Sequence, residues 1–427
     1  MADSCEVKGN LAPASKCTWQ KRLLHFFKIA GPGCMAMLAD TDAGSIVTAA
    51  QSGARWGYRL LWLQILLIPI LYFVQELTVR LGLSTGKGQG GLIHEHFGRG
   101  WAWFSVIVIF ISTVGALVTE FVGISGAGLL FQIPPQYSVG LAVIFLLGIV
   151  LTGSYRRVEL IGIAVGLFEV SLVIAAYIAH PDVTSIKNQF FSVPITNRDY
   201  FNLIAANIGA VIMPWMIFYQ QGAIVDKGLC CSCEGNYRCC RWDTAIGSVF
   251  AQIIMAAALV LTAATIGVVN PNAPLNSVQQ IADAITPLMG EMGGKILFAV
   301  GITSAALIAS IVVSLAAAWG VGELLGVRTT FNMSVKEAPR FYIAYGLGTV
   351  AAGLFVLSGF QLVEVTILVE IANTLMLPVI LGFLFLLAFR FLPAKMRVKK
   401  WEKALLGSVY VMISVLSILT VVNMLVR

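Results

Sequence analysis

The sequence predicts an all-α membrane protein with eleven transmembrane helices, of which the first and the sixth are broken. The first observation behind this prediction is composition, because 58% of the 427 residues are hydrophobic and only 11% are charged. The mean hydropathy is +0.86. A water-soluble domain usually carries about 25% charged residues, so most of this surface is predicted to face lipid.

The second observation is the number of long apolar runs, since a bilayer core takes roughly 20 residues of helix. The candidate spans are 31–53, 58–80, 101–131, 137–153, 158–180, 201–222, 243–269, 293–326, 340–358, 363–391 and 404–426. Continuous runs of this length exclude a β-barrel, which would show ten-residue alternating segments. The predicted division is an amino-terminal segment 1–28, five helices in 29–200, five in 201–391, and a loop with the eleventh helix in 392–427.

Lysine and arginine predict the orientation of the chain. With the amino terminus inside, 22 of these residues fall in inner segments and 6 in outer ones, which favours a cytoplasmic amino terminus. The net charge of +7 is therefore interpreted as a topology signal and not as a nucleic-acid surface. No signal peptide is predicted in the first 30 residues. These features suit a bacterial plasma membrane, and the sequence predicts no oligomeric state.

Five cysteines crowd into one predicted cytoplasmic loop: Cys230, Cys231, Cys233, Cys239 and Cys240. The spacing of Cys230 and Cys233 fits half of a zinc site, which one of the later cysteines would have to complete. Thiols stay reduced in the cytoplasm, so disulfides are not expected. Reduced loop thiols are the favoured interpretation, with a structural metal site as the alternative.

The third observation is charge inside the spans, where a carboxylate costs about 2.5–3.5 kcal/mol on insertion scales. The acidic residues concerned are Asp40, Asp42, Glu76, Glu120, Glu169 and Glu370. Glu76 lies four residues before Arg80, so an ion pair within one helix is predicted for it. Glu169 has no evident partner, and both structural hydrogen bonding and a polar pathway stay open for it.

The first span contains two aspartates that a continuous helix would point about 200° apart. Asp40 and Asp42 could line one site only if the helix breaks. The stretch Ala43–Gly44–Ser45 is the weakest helical part of the span, so an unwound turn is predicted there. Such a turn frees backbone carbonyls beside a carboxylate, which is how transporters build cation sites. Asp42 is the candidate ligand, and a buried hydrogen-bonded role is favoured for Asp40.

The sixth span supplies a second break in "NIGAVIMPWMIFYQQGAIVDKG". Pro214 removes a backbone donor in mid-span and frees carbonyls one turn earlier, around Ala210 and Val211. Met213 offers a thioether beside it. A proline kink with a core methionine is the alternative, but a second break five spans after the first favours a metal site. The same spacing predicts a five-plus-five inverted repeat.

At these residues the chain resembles the Nramp family of divalent-metal transporters. The stretch "GPGCMAMLADTDAGSIVTAAQSGARWGYRLLW" is similar to the family's first-helix pattern GPGF…DPGN…QAGA.YGY.LLW, and "AVIMPWMIFYQQ" to its sixth-helix motif. The resemblance implies an amino-acid-transporter-like fold from about residue 28 to the carboxyl terminus. It also implies Asp42 as the metal carboxylate, Met213 as thioether ligand and the Ala210 carbonyl as a further ligand.

Several positions depart from the family pattern. The asparagine of DPGN is Ser45 here, and the two histidines of the sixth helix are Trp215 and Gln220. In the third helix Glu120 is kept, but the aspartate three residues before it is Leu117. The tenth-helix glutamine is Glu370. These replacements remove most of the family's proton pathway, and the pattern is similar to the Nramp-related magnesium transporters.

The replacements agree in part with magnesium chemistry. Mg²⁺ prefers oxygen ligands and keeps several of its waters, so it is usually held by one or two carboxylates. The short Ser45 widens the site for a hydrated ion, and Glu370 adds an acceptor. Met213 favours softer metals than Mg²⁺, so it leaves Mn²⁺ transport open.

The predicted function is uptake of Mg²⁺, and also Mn²⁺, by alternating access without proton coupling. The metal ligands would be Asp42, Ser45, Ala210, Met213 and Glu370, and the pathway residues Gly44, Trp215, Gln220, Glu120 and Leu117. The ion is the substrate, lipid is the other partner, and no cofactor is expected. The alternatives are a proton-coupled Mn²⁺/Fe²⁺ transporter, an amino-acid carrier of the same fold and a membrane enzyme.

Overall fold

The computed structural model describes residues 29, 31–150, 155–194, 197–229, 234–269, 275, 280, 291–324, 337, 339–358 and 362–425. The predicted amino-terminal segment 1–28 lies outside the described residues. Cys230, Cys231 and Cys233 also lie outside them. Within the described ranges every regular element is a helix and no strand occurs. The predicted all-α fold class is confirmed.

The helices are numbered here in chain order. They are α1 Pro32–Asp40, α2 Ala43–Trp56, α3 Leu61–Thr85, α4 Gln89–Phe97, α5 Arg99–Leu130, α6 Pro135–Val150, α7 Tyr155–Gly166, α8 Val170–Ile178, α9 Val183–Phe190, α10 Arg198–Val211, α11 Pro214–Asp226, α12 Glu234–Ala264, α13 Ile266–Val269, α14 Glu291–Leu324, α15 Pro339–Val356, α16 Leu362–Phe391 and α17 Lys400–Leu425. Short 3₁₀ turns at Gly57–Leu60, Leu167–Glu169 and Ala394–Met396 extend or join them.

Each of the eleven predicted spans contains helix. In the described part of the chain, eight helical stretches are long and apolar enough to cross a membrane, and the first of them, Ala43–Thr85, joins two predicted spans. The helices Pro135–Val150 and Tyr342–Val356 are apolar but shorter. The chain is therefore a multi-pass membrane protein, and the number eleven stays a prediction.

The first predicted span is broken at mid-length. Helix α1 ends at Asp40 and α2 begins at Ala43, with Thr41 (φ −80°, ψ 44°) and Asp42 (φ −68°, ψ 172°) between them. The Asp42 carboxylate caps α2 by accepting the Ser45 N–H at 2.6 Å. The break is confirmed, but the predicted unwound turn at Ala43–Ser45 was wrong. Because an aspartate at the N-cap stabilises a helix start, these residues form the first turn of α2.

The sixth span is broken in the same way. Helix α10 ends at Val211, and Ile212 and Met213 adopt non-helical backbone angles. Pro214 is then the first residue of α11, where its missing N–H and fixed φ are tolerated. The predicted break at Pro214 is confirmed.

Ion pairs tie the helices together at the end of the bundle where α3 finishes. Arg80 pairs with Glu76 at 2.8 Å, as predicted from their spacing, and with Glu402 of α17 at 3.0 Å. Tyr237 of α12 donates a hydrogen bond to Glu76. At the opposite end Arg55 pairs with Asp199 at 2.5 Å. These contacts place the starts of α12 and α17 beside the end of α3, as alternating directions through a membrane require.

Glycine residues allow close contacts between helices in the core. A Cβ atom placed on Gly53 of α2 would overlap the carbonyl oxygen of Leu259 and the hydroxyl of Thr262, both in α12. The Thr262 hydroxyl uses this proximity to donate to the Ala50 carbonyl at 2.8 Å. Small residues at such crossings let two backbones approach, which is the common packing mode of helices in membranes.

We expect Gly53→Ala to lower the stability of the folded protein by about 1–3 kcal/mol, because the added methyl group forces α2 and α12 apart. Thermal unfolding of the detergent-solubilised protein measures this as a lower midpoint. Gly140→Ala in α6 is the matched control, since a Cβ there meets no atom within 4 Å. An equal midpoint for both variants would contradict the tight crossing.

Candidate metal site

The two helix breaks meet at one hydrogen bond. The Ser45 hydroxyl, in the first turn of α2, donates to the Ala210 carbonyl at the end of α10 with a distance of 2.7 Å. Both residues are fully buried. Two of the predicted ligands therefore lie side by side, and each break presents polar atoms to the other in the middle of the bundle.

Three buried carboxyl groups surround the first turn of α2. Asp42 begins this turn, Glu120 of α5 accepts the Ala43 N–H at 3.1 Å, and Glu370 of α16 lies against Gly44. A Cβ atom on Gly44 would lie 2.5 Å from Glu370 Oε1 and 3.0 Å from Thr119 Oγ1. Each of the three acidic side chains is 0% exposed. Gly44 is thus the residue that admits Glu370 to the turn.

One oxygen of each carboxyl group is left without a donor. Asp42 Oδ2, Glu120 Oε1 and Glu370 Oε1 receive no N–H or O–H hydrogen bond from the described residues. Asp42 and Glu120 accept from the Ser45 and Ala43 N–H groups of the same helical turn, so their carboxyl groups lie near each other. Two facing carboxylates in a medium of low dielectric are stable only with a proton or a cation between them. The arrangement can therefore bind positive charge.

The carboxyl groups do not form a closed metal cage. Among the residues that the structure describes, no group of three or more His, Cys, Asp or Glu side chains is placed to hold one metal ion together. The acids instead approach the turn from separate helices, α2, α5 and α16. Side chains spaced in this way contact a hydrated ion more readily than a bare one, because bound waters fill the remaining distance.

The remaining predicted site residues are held by other contacts. Met213 Sδ accepts a hydrogen bond from Trp215 Nε1 at 2.9 Å, so the thioether is already engaged. Gln220 Nε2 donates to Thr244 Oγ1 of α12 at 2.7 Å. Leu117 is buried, and its Cδ1 lies 3.9 Å from where a Cβ on Gly348 of α15 would be. The described contacts do not gather these residues at one point, since Thr244, the partner of Gln220, lies against Gly33 at the start of α1.

Two residues that the sequence did not single out orient Glu370. Asn373 Nδ2 donates to Glu370 Oε2 at 3.1 Å, and Ser112 of α5 donates to Asn373 Oδ1 at 2.8 Å. These bonds leave only Oε1 free to face Gly44. The signal that could have revealed Asn373 is its place three residues after Glu370, on the same face of the helix.

The two acidic residues with open roles differ in their contacts. Glu169 accepts a hydrogen bond from the Thr41 hydroxyl inside the first break, and that hydroxyl also lies 2.9 Å from the Leu38 carbonyl. For Glu169 the hydrogen-bonding interpretation is thus the one with a visible partner. Asp40 is 1% exposed, and neither of its carboxyl oxygens has a hydrogen-bond partner in the described chain. The hydrogen-bonded role expected for Asp40 is therefore wrong for this conformation.

A multi-pass bundle with two broken helices that meet at buried carboxyl groups defines a membrane transporter and not an enzyme. A family model confirms this class. The model described as "Nramp: Natural resistance-associated macrophage protein-like" matches residues 33–423, so the chain belongs to the Nramp family.

Named relatives agree with this membership. A protein of Caldanaerobacter subterraneus subsp. tengcongensis, "Divalent metal cation transporter MntH", is 28% identical over 66% of this chain and 70% of its own length. The crystal structure of an Eremococcus coleocola manganese transporter has a similar fold, with a TM-score of 0.76, 17% identity and coverage of 96% of this chain and 88% of that chain. The fold also matches MhsT in complex with L-phenylalanine, with a TM-score of 0.61, 14% identity and coverage of 92% and 98%.

We expect Gly44→Ala to weaken divalent-metal binding at least tenfold while the protein stays folded, because the methyl group would displace Glu370 from the turn. Titration calorimetry with Mn²⁺ and Mg²⁺ on the solubilised protein measures the affinity. Gly148→Ala, where a Cβ meets no atom within 4 Å, is the control. Unchanged affinity in Gly44→Ala would remove Glu370 from the site.

Proposed function

We propose that this transporter takes up Mg²⁺, and Mn²⁺ as a second substrate, by alternating access and without coupling to protons. The coarser function, transport of divalent metal ions, follows from membership of the Nramp family. The observation that supports the finer proposal is the set of three buried carboxylate oxygens at the turn, one each from Asp42, Glu120 and Glu370, without donors in the described chain.

The ligand atoms offered at the turn favour a hard ion. The carboxylates, the Ser45 hydroxyl and the Ala210 carbonyl are all oxygen donors, which suit Mg²⁺ and Mn²⁺. The soft ligand, Met213 Sδ, is occupied by the Trp215 indole N–H. In this arrangement the sulfur contributes little to a hard cation, and the selectivity for softer metals that a free thioether would give is reduced.

The separation of the acidic side chains favours an ion that keeps part of its water. Mg²⁺ gives up water reluctantly and is usually held by one or two carboxylates together with several waters. The first turn of α2 offers such a site, because Asp42 and Glu120 face each other while Glu370 approaches from the other side at Gly44. Ser45 leaves more room there than a longer asparagine would.

The residues around the site favour transport without protons. Trp215 and Gln220 do not titrate, and Gln220 is bonded to Thr244. Leu117 carries no charge. The described histidines, His94 and His96 in α4 and His180 after α8, lie outside the spans. Two charges moving inward through 100 mV gain about 4.6 kcal/mol, so membrane potential alone can drive uptake.

One observation favours a second candidate, a proton-coupled Mn²⁺ transporter. Asp42 and Glu120 both contact the first turn of α2, and metal binding would displace a proton held between these carboxyl groups. The named bacterial relatives are divalent-metal transporters, and one of the similar structures is a manganese transporter. We further propose a bacterial plasma-membrane location with a cytoplasmic amino terminus, on the lysine and arginine distribution.

We expect Met213→Ala to leave Mg²⁺ uptake within about twofold of the parent and to weaken Cd²⁺ binding about tenfold. The reason is ligand softness, because a thioether stabilises soft ions and hardly contributes to a hydrated hard one. Uptake into vesicles and competition by Cd²⁺ measure the two effects. Equal losses for both ions would mean that the methionine shapes the pocket for either of them.

We expect metal uptake into proteoliposomes without internal acidification. The rate should be nearly independent of an imposed pH gradient and should rise with an inside-negative potential, because Trp215, Gln220 and Leu117, at the positions of the family's proton pathway, do not titrate. A pH dye and a Mg²⁺ indicator inside the same vesicles measure both quantities. Asp42→Ala vesicles, which we expect to show no uptake, give the background. Acidification that follows metal entry and disappears in Glu120→Gln would support the proton-coupled candidate instead.

A further inference from the structure

The amino-terminal half of the first span, α1, is a short helix that is separate from α2. Helix α1 has nine residues and is about 13 Å long at 1.5 Å per residue. The non-helical residues Thr41 and Asp42 separate it from α2. Its carboxyl-terminal end therefore reaches the candidate metal site, and its amino-terminal end reaches the surface at which the first span begins. Rotation about Thr41 and Asp42 would move α1 without moving α2.

One carboxylate binds the amino-terminal end of α1. Asp243 of α12 accepts the backbone N–H of Gly31 at 3.1 Å, of Gly33 at 2.8 Å and of Cys34 at 3.2 Å. The first N–H groups of a helix have no partner within the helix, and the helix dipole favours negative charge beside them. Asp243 is 4% exposed, and both of its oxygens take part. Asp243 thus makes the charge-assisted polar contact between α1 and α12.

Apart from a weak hydrogen bond from Ser248 Oγ of α12 to Met37 Sδ at 3.6 Å, several contacts along α1 are apolar and are made against glycines. Met37 lies against Gly247 of α12, and in α7 Met35 lies against Gly162 and Leu38 against Gly166. Apolar contacts of this kind have no preferred direction, so they permit a helix to slide or tilt. Hydrogen bonds from three backbone donors to one carboxylate depend on direction and distance. They therefore define one position of α1 against α12.

The backbone just before α1 is also closely confined. Gly31 has φ 142°, and a Cβ there would overlap the carboxylate of Glu159 in α7. That carboxylate pairs with Lys227 at the end of α11, at 2.9 Å. The start of α1 thus rests between α7, α11 and α12. Movement of α1 away from Asp243 would open the space between these helices toward the metal site.

We propose that Asp243 is a positioning residue that holds α1 closed over one side of the metal site, and that ion release on that side requires its three hydrogen bonds to break. The proposal rests on the transport function above. Because Asp42, Glu120 and Glu370 are 0% exposed in this conformation, some part of the bundle must move before an ion can leave. The half-helix joined by a non-helical hinge and fixed by one carboxylate is the part built to move.

The test uses the thiol of Cys34, which lies within the capped turn and is partly buried. A background variant keeps Cys34 and replaces the other seven of the eight cysteines with serine. We expect Asp243→Asn in this background to raise the rate of Cys34 alkylation by a small maleimide about tenfold in proteoliposomes. The neutral amide has a single acceptor oxygen, and it loses the charge-assisted strength of the carboxylate.

A matched control is available in Glu323 of α14. This half-buried carboxylate accepts the Gly91 N–H in α4 at 3.1 Å, so it also accepts from a helix backbone, but not from that of α1. Glu323→Gln should leave Cys34 alkylation within about twofold of the background. Circular dichroism and size-exclusion profiles verify that each variant is folded, and alkylation of denatured protein gives the upper limit of the rate.

A second variant protects the test if Asp243→Asn does not fold. Gly33→Ala would place a Cβ 2.8 Å from Asp243 Oδ2, so it should also raise Cys34 alkylation. Folded Asp243→Asn protein with the background rate overturns the proposal, and so does an equal increase in Glu323→Gln. If only Gly33→Ala folds, a Cys34 alkylation rate equal to that of the background variant also overturns the proposal. Alkylation needs neither metal nor transport, so a wrong substrate assignment would not alter its outcome.

Discussion

The Asp42 carboxylate is the group on which the candidate site depends, because it caps the start of a helix and also presents an oxygen without a donor to the interior. One oxygen caps α2 by accepting the Ser45 N–H, and the other faces the interior without a donor in the described chain. In lipid an interrupted helix must satisfy its freed backbone groups within the protein. The cap satisfies one of these backbone N–H groups, so the break between α1 and α2 is tolerated in mid-membrane.

The neighbouring helices are shaped around this turn. Glu120 accepts the Ala43 N–H, and Gly44 leaves the space that Glu370 occupies. A Cβ on Gly209 of α10 would overlap the Glu370 backbone oxygen. The backbones of α10 and α16 are therefore in close contact that only glycine allows. Negative charge buried without a countercharge is costly, and the structure concentrates it where a cation can remove the cost. Binding of the ion and stability of the closed bundle are thereby linked.

The same break connects binding with movement. Thr41 and Asp42 form the junction between α1 and α2, so the proposed hinge of α1 lies next to the carboxylate proposed to hold the ion. The Thr41 hydroxyl reaches Glu169 near the start of α8, which joins this hinge to another helix. An ion at Asp42 would therefore act directly on the segment whose position opens or closes the site. In the sixth span, the corresponding break between α10 and α11 is stabilised by the contact of Met213 with Trp215 and by the hydrogen bond from Ser45 to Ala210.

The sequence by itself determined the helical class, the approximate spans and the two breaks, because in lipid every backbone group must be satisfied locally and apolar length is read directly from the chain. It also determined the Glu76–Arg80 pair, whose members are one helical turn apart. Tertiary structure decided that the unwound residues precede Ala43, that Asn373 orients Glu370, and that Trp215 occupies the Met213 sulfur. The spacing of Glu370 and Asn373 allows their contact, but only the structure shows that Asn373 makes it, with Ser112 of α5 bonded to the same amide. Spacing alone does not choose among competing partners and rotamers.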